Sequence, residues 1–327
     1  MITELELKKE IGLVLNNQNE PKDILFFTGA GISIPAPSNM PSGVDLHRML
    51  LEHAELFQRV EAEKLAKELC FEETVSRLSK LYDKGDINFF LEFLSDLFIC
   101  SELPRNPQLV PNDYHKYFNW HLKNSGNHFT VNLDQLIESI EFQENYKIRT
   151  KQRATEYNFP LPNFGFEGCI VKIHGDPTLD EWKTQGYLYE NIQAFEPEFK
   201  RYLDAFINKA KFVIFVGYGG VDKFDITPYF NEKPNGFFSN TNALWIQYGG
   251  NETLKKPFKI TTDSASILSK FRKDFTIETI KPEIILNKLF GDAPNILNTQ
   301  RNDCDYLKKV DEFLKENFAR LRAENYN

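Results

Sequence analysis

Four short clusters in this sequence combine residue types that do chemistry, and each closes a short apolar run. The first is Gly29-Ala30-Gly31-Ile32-Ser33, at the end of Ile24-Leu25-Phe26-Phe27-Thr28. Glycine at the end of a buried strand lets the chain turn sharply and lets a pyrophosphate approach main-chain N–H groups without meeting a Cβ. A helix beginning near Ser33 would offer the same anion its orphan N–H groups and positive dipole end. The local reading is a strand, a phosphate-cradling turn and a dinucleotide. The full G-x-G-x-x-G pattern is absent, so a plain strand-turn accounts for Gly-Ala-Gly as well. The second cluster is Asn132-Leu133-Asp134, after Phe129-Thr130-Val131. Side chains two apart share one face of a strand, and at a strand end they would project into the crevice where open α/β sheets bind ligands. Asp134 equally fits the N-cap of a helix over Gln135 to Ile140, and the two roles are compatible. The third cluster is His174-Gly175, closing Cys169-Ile170-Val171-Lys172-Ile173, where a histidine is placed for acid–base work. The fourth is Gly217-Tyr218-Gly219-Gly220-Val221-Asp222, after Phe212 to Val216, a second glycine turn.

These clusters need a scaffold, and the chain has the material for one. Its 327 residues are 41% hydrophobic and 26% charged, enough for one large α/β domain or two smaller ones with a substantial core. With 39 Lys plus Arg against 47 Asp plus Glu the net charge is -8, which argues against a chain that grips nucleic acid by itself. The cysteines Cys70, Cys100, Cys169 and Cys304 form no Cys-x-x-Cys pair, so neither a zinc ribbon nor a redox pair is indicated; reduced thiols in a cytoplasm are expected. The opening residues lack the basic and apolar regions of a signal peptide, and the longest apolar runs are strand-sized, so no membrane association is expected.

Between the clusters the pattern is helical. Apolar spacing predicts an amphipathic helix from Glu4 to Asn16, a helical block from Val44 to about Cys100, and helices over Tyr114 to Leu122, Phe199 to Ala210, Ser264 to Phe271, Ile280 to Phe290 and Asp305 to Arg320. His47 and His53 within the block read as packing or surface residues. Pro35, Pro37 and Pro41 forbid a regular helix between Ile34 and Gly43 and leave a loop that would close over a ligand or simply connect. Lys147, Arg149, Lys151 and Arg153 alternate along an extended segment and read as a solvated strand face. Ala243 to Tyr248 ends in Gly249-Gly250, a third glycine-tipped strand. Strands alternating with helices predict a doubly wound parallel sheet that carries every polar cluster on one rim.

Taken together the clusters resemble the sirtuin family, the NAD-dependent Sir2-like domains. Gly29-Ala30-Gly31-Ile32-Ser33 is similar to the family's opening signature, and Thr130-Val131-Asn132-Leu133-Asp134 to its Thr-x-Asn-x-Asp. His174-Gly175 is similar to the catalytic His-Gly, Gly217-Tyr218-Gly219 to the Gly-x-Ser turn, and Asp222 to an aspartate common after that turn in the bacterial branch. The paired cysteines of the structural zinc are absent, Pro41-Ser42-Gly43 stands where Asp-Phe-Arg is usual, and Gly219 replaces the Ser or Thr of the third turn. These departures resemble bacterial anti-phage Sir2-like NAD hydrolases, in which helices often replace the zinc module.

The resemblance implies a Rossmann-like Sir2 domain over 1–43 and 113–327, with a helical insert or cap over 44–112. It implies cleavage of the nicotinamide–ribose bond of NAD to nicotinamide and ADP-ribose, with NAD as substrate and neither zinc nor another metal. Asn132 would position the ribose or the attacking water, His174 would bond the ribose hydroxyls and act as base, and Asp134 would support the nicotinamide or ribose side. Gly29, Ala30, Gly31 and Ser33 would hold the pyrophosphate, and Gly217, Tyr218, Gly219 and Asp222 would lie near the phosphate and adenosine ribose. Competing readings are an NAD-dependent protein deacylase, disfavoured by the missing zinc module, and a non-catalytic NAD or ADP-ribose sensor. A free NAD hydrolase endangers its host, so the family's habits imply a homo-oligomer or a partner such as a HerA-type ATPase or an Argonaute-like protein.

Overall fold

A computed structural model describes residues 20–35, 38–54, 59–68, 71–82, 89–98, 109–140, 147–150, 168–177, 195–220, 222, 224–248, 262–272, 274–279 and 306–325. The helices expected over Glu4 to Asn16 and Ile280 to Phe290 lie outside these residues, as do Lys151, Arg153, Gly249 and Gly250. The strands are β1 (Ile24–Thr28), β2 (Asn127–Thr130), β3 (Lys147–Thr150), β4 (Cys169–Lys172), β5 (Phe212–Val216), β6 (Asn242–Tyr248) and β7 (Asp274–Thr279). They form one sheet in the order β3-β4-β2-β1-β5-β6-β7, and every pairing is parallel. The described helices are α1 (Gly43–His53), α2 (Arg59–Glu68), α3 (Phe71–Tyr82), α4 (Phe89–Asp96), α5 (Asp113–Lys123), α6 (Pro197–Lys209), α7 (Ile226–Asn231), α8 (Thr262–Leu268) and α9 (Tyr306–Asn325).

All residues of β1, β2, β4 and β5 are buried, because a parallel sheet is covered on both faces. Successive β1 side chains part to opposite sides. Leu25 and Phe27 meet Phe199, Phe206 and Tyr229 of α6 and α7, while Ile24 and Phe26 meet Tyr117, Phe118 and Leu122 of α5. This is the Rossmann-like, doubly wound α/β fold expected, with β3 as an additional edge strand. A third cluster joins α1, α3, α4 and α9 through Leu50, Val75, Leu94, Leu314 and Phe318, and it takes in Leu133 and Leu136 just past β2. The C-terminal helix therefore packs into the same helical layer as the helices between β1 and β2. His53 Nε2 lies 2.9 Å from Asp311 Oδ1, and Arg322 Nη1 donates to His53 O at 2.9 Å, tying α1 to α9.

Two local expectations are overturned. No helix begins at Ser33: a single 3₁₀ turn over Ala30–Ile32 follows β1, and the next helix begins at Gly43 behind an Ser42 cap that accepts from Asp45 N at 3.1 Å. Prolines between them supply no N–H donors to propagate a helix. Gln135 to Ile140 forms turns and a 3₁₀ turn over Glu138–Ile140, not a helix. There Asn119 Nδ2 donates to Ile137 O at 3.0 Å, and Leu136 and Ile137 are drawn into different apolar clusters. Strand β7 went unread in the sequence although Phe275 and Ile277 alternate with Asp274, Thr276 and Glu278.

Neighbours of β1 are β2 on one side and β5 on the other, so the winding reverses there and opens a crevice at the strands' carboxyl ends. The loops that leave β1 and β5 touch at that point. A Cβ on Gly31 would sit 2.7 Å from Gly217 Cα, and one on Gly217 would sit 2.6 Å from Ile32 N. Gly217 also has φ +63°, a conformation that costs other residues about 1–3 kcal/mol. Gly217→Ala is therefore expected to lower the stability of the chain by at least that amount. Urea denaturation checks it, and an unchanged midpoint would mean the loops are free to separate.

Candidate active site

The turn after β1 is braced against β5 by its own amides. Gly29 N donates to Val216 O at 3.3 Å, Gly31 N to Gly217 O at 2.9 Å, Ile32 N to Gly29 O at 3.1 Å and Ser33 N to Ala30 O at 3.0 Å. Among the described residues of this turn, exposed Ala30 is the one whose N–H enters none of these bonds. The glycines thus serve loop-to-loop packing first, and the N–H cradle anticipated over Gly29 to Ser33 narrows to its tip.

Ser33, by contrast, points inward and is buried. Its Oγ donates to Asp134 Oδ2 at 2.9 Å and accepts from Asn132 Nδ2 at 3.1 Å. Asn132 Nδ2 also donates to Asp134 Oδ2 at 3.2 Å. A carboxylate only accepts, so the amide of Asn132 is oriented with its nitrogen toward Asp134 and its oxygen away. That oxygen, Oδ1, is buried and has no partner among the described residues. Leaving such an acceptor unmet costs about 1–3 kcal/mol, which marks it as a place for a donor from a ligand or water. Asp134 Oδ1 accepts Leu136 N at 3.2 Å and so caps the turn that stands where a helix was expected.

Behind Ser33 stands His115, which sequence reasoning passed over. Asn112 caps α5, accepting from Tyr114 N at 3.0 Å, and its own N–H donates to His115 Nδ1 at 3.0 Å. His115 Nε2 lies 3.1 Å from Ser33 Oγ. Burial lowers the pKa of His115 to about 4 against the opposing pull of Asp134, so the ring is neutral. Asn112 Nδ2 meanwhile donates to Ile32 O at 2.8 Å and Pro35 O at 3.1 Å, fastening the loop after β1 to α5. The signal for this unit was the Asn112-x-x-His115 spacing of a capping box, with histidine in place of Glu or Gln.

His174 sits just past β4, partly exposed, with Nε2 3.3 Å from Asp225 Oδ2 and 3.7 Å from Asp222 Oδ1. Burial would lower its pKa, but the Asp225 and Asp222 carboxylates outweigh that and hold it at about 9. Asp222 is pushed up to about 6 by burial and by neighbouring Asp225, against the pull of His174. At neutral pH this cluster is an imidazolium between two carboxylates, with one net negative charge, so His174 at rest is a hydrogen-bond donor. The three side chains also offer one ligand atom each within 4.8 Å of one another, a set that could hold a metal ion, but the ion pair already accounts for their approach. Asp225 escaped the sequence reading; its signal was a second carboxylate three residues after Asp222. The Tyr218 ring, expected at the ligand, packs in the core against Phe27 at 4.8 Å and Trp245 at 5.7 Å, while Gly219 is exposed on the rim.

A buried lysine joins the loops after β2 and β4. Lys172 Nζ donates to Leu133 O at 3.1 Å and Asp134 O at 3.0 Å, and lies 2.9 Å from Glu138 Oε1 and 3.8 Å from Asp176 Oδ2. Burial opposes its charge, yet Glu138 and Asp176 prevail and raise its pKa above the ordinary lysine value.

Residues 127–256 match the family model of the SIR2-like domain. Over this span the chain is similar to the SIR2-like domain. The match includes Asn132, Asp134, His174, Gly217, Gly219 and Asp222, and the fold delivers Ser33 to Asn132 and Asp134 from the loop after β1, which the matched span does not include. SIR2-like domains act on NAD, usually as enzymes, and NAD-related activity is what the match supports for this chain. No curated protein matches it. Among the described residues no helix is long and apolar enough to cross a membrane.

Because Lys172 holds two loops of the matched span, Lys172→Met should cost about 3–5 kcal/mol by stranding the Glu138 carboxylate in the interior. Adding Glu138→Leu should recover most of that loss in urea melts. Equal stability of the single and double variants would show that the pair is not the source of the cost.

Proposed function

We propose that this SIR2-like domain is an NAD glycohydrolase, cleaving the nicotinamide–ribose bond of NAD with water to give nicotinamide, ADP-ribose and a proton. The observation that carries the reading is the unmet, buried Oδ1 of Asn132, held by Ser33 and Asp134 at the rim where the winding of the sheet reverses. An acceptor fixed in this way suits the O–H of a ribose or of an attacking water.

In the reaction the C1′–N1 bond breaks, its electron pair neutralises the pyridinium, and the water oxygen bonds C1′. Nicotinamide leaves as a neutral molecule, so general acid catalysis is not required, and the main task is to stabilise an oxocarbenium-like ribose. The negative charge of Asp134 and the net negative charge of the His174–Asp222–Asp225 cluster favour that cation. His174 as imidazolium donates to ribose hydroxyls, and Asp222, with its pKa near neutrality, is suited to accept the proton released by water. Ala30 supplies the N–H toward the pyrophosphate, with the loop from Gly217 to Gly219 beside it. We further propose, from the hazard of unrestrained NAD loss, that the activity is held in check within a cytoplasmic assembly, as the NAD-depleting arm of an anti-phage response.

The test is NAD consumption by the purified chain without any peptide, with products resolved by chromatography. Nicotinamide plus ADP-ribose is expected, and His174→Ala and Asn132→Ala should each reduce turnover at least about 100-fold in a chain that keeps the wild-type circular dichroism spectrum. NAD loss only when an acylated peptide is added would make the chain a deacylase instead. The pH profile separates the two roles open to His174. With Asp222 needed as carboxylate and His174 as imidazolium, kcat/KM should fall below about 6 and above about 9. Asp225→Asn removes a charge that raises the pKa of His174, so the alkaline limb should move to lower pH. Activity that keeps rising through pH 9 would mean that neutral His174 is the base.

A further inference from the structure

We propose that His115 is a positioning residue that sets the direction of the hydrogen bonds of Ser33, and so supports the Ser33–Asp134–Asn132 arrangement that leaves the Asn132 carbonyl oxygen ready for the substrate; this rests on the reading of the site as NAD-cleaving. The direction follows from donor counting. A main-chain N–H can only donate, so the Asn112 N–H makes His115 Nδ1 an acceptor at 3.0 Å. A neutral imidazole then carries its proton on Nε2, which donates to Ser33 Oγ at 3.1 Å. With one proton arriving from His115 and another from Asn132 Nδ2, the Ser33 oxygen has both lone pairs engaged. Its own proton goes to Asp134 Oδ2 at 2.9 Å.

In the opposite tautomer Nε2 would be an acceptor. Ser33 would turn its proton toward His115, Asp134 Oδ2 would lose a donor, and Nδ1–H would collide with the Asn112 N–H. The polarity of the chain therefore starts at a helix cap, passes through His115 and Ser33, and ends at Asn132, whose nitrogen is committed and whose oxygen is left unmet. His115 is wholly buried and touches no substrate, so it acts through Ser33. Charged or titratable groups near it are Asp134 across Ser33 and His128 on β2, itself buried and neutral, with Nε2 2.6 Å from Thr28 Oγ1.

The experiment uses the full chain. Nitrogen-15 NMR of labelled histidines should show His115, identified by its loss in His115→Gln, as the Nε2–H tautomer that does not titrate between about pH 8 and pH 5.5; burial sets its pKa at about 4. An Nδ1–H tautomer, or a titration near the ordinary histidine value, overturns the proposal. In the kinetic arm, His115→Leu should lower kcat by about 10- to 100-fold with KM for NAD little changed. His115→Gln, whose amide can still donate to Ser33, should regain most of that. Ser33→Ala should cost about as much as His115→Leu, and the double variant no more than either, since one acts through the other. Additive losses, or a His115→Leu enzyme with wild-type kcat, overturn the proposal. If the chain cleaves no NAD at all, the functional reading falls, while the tautomer measured by NMR still decides the polarity of the chain.

Discussion

Close contact between the two glycine loops at the switch point is the constraint from which the site follows. Gly29 and Gly31 leave β1 with main chain against main chain of Gly217, so the loops after β1 and β5 are held at backbone-contact distance, with the Gly29 and Gly31 amides donating to Val216 O and Gly217 O. With no Cβ to keep them apart, the chain after Gly31 turns back over the sheet and buries Ser33 instead of presenting it to solvent. Only then can a hydroxyl from the first loop meet an amide and a carboxylate from the loop after β2. A dinucleotide-binding glycine turn is ordinarily explained by the ligand's approach. Here the first demand on the glycines is the approach of another strand's loop.

Around that contact the buried charges are arranged in two sets with different duties. Lys172 with Glu138 and Asp176 is wholly interior, and it grips the carbonyls of Leu133 and Asp134; its duty is to fix the shape of the loop that bears Asn132. His174 with Asp222 and Asp225 is partly open, and the set carries an excess negative charge just past the carboxyl ends of β4 and β5. The helical layer is coupled to the first set as well, because Leu133 and Leu136 from the same loop pack among α1, α4 and α9.

Much of the sheet was legible because parallel strands buried on both faces are written as unbroken apolar runs, and β1, β4 and β5 were read in that way. The polar clusters were legible as well, since Asn132, Asp134 and His174 stand at the ends of such runs, where open α/β sheets keep their ligands. His115, Asp225 and Lys172 were not. A lysine inside the run Cys169 to Ile173 looks like a blemish in a strand until Glu138 and Asp176 are brought against it. A histidine three residues after Asn112 looks like one more helix residue until Ser33 is folded onto it.

By itself the sequence determined the class of fold, the rim on which the polar residues lie and the family whose chemistry they resemble, because these depend on periodicity and on residue type at strand ends. Tertiary structure alone decided the protonation of His174, the direction of hydrogen bonding through Ser33 and the orientation of the Asn132 amide. The first two depend on partners far away in the chain, Asp225 for His174 and His115 for Ser33, and the third on Asp134 and Ser33 brought together around Asn132 by the fold. A pKa or a tautomer is a property of a burial and a set of neighbours, and no local pattern of residues specifies either.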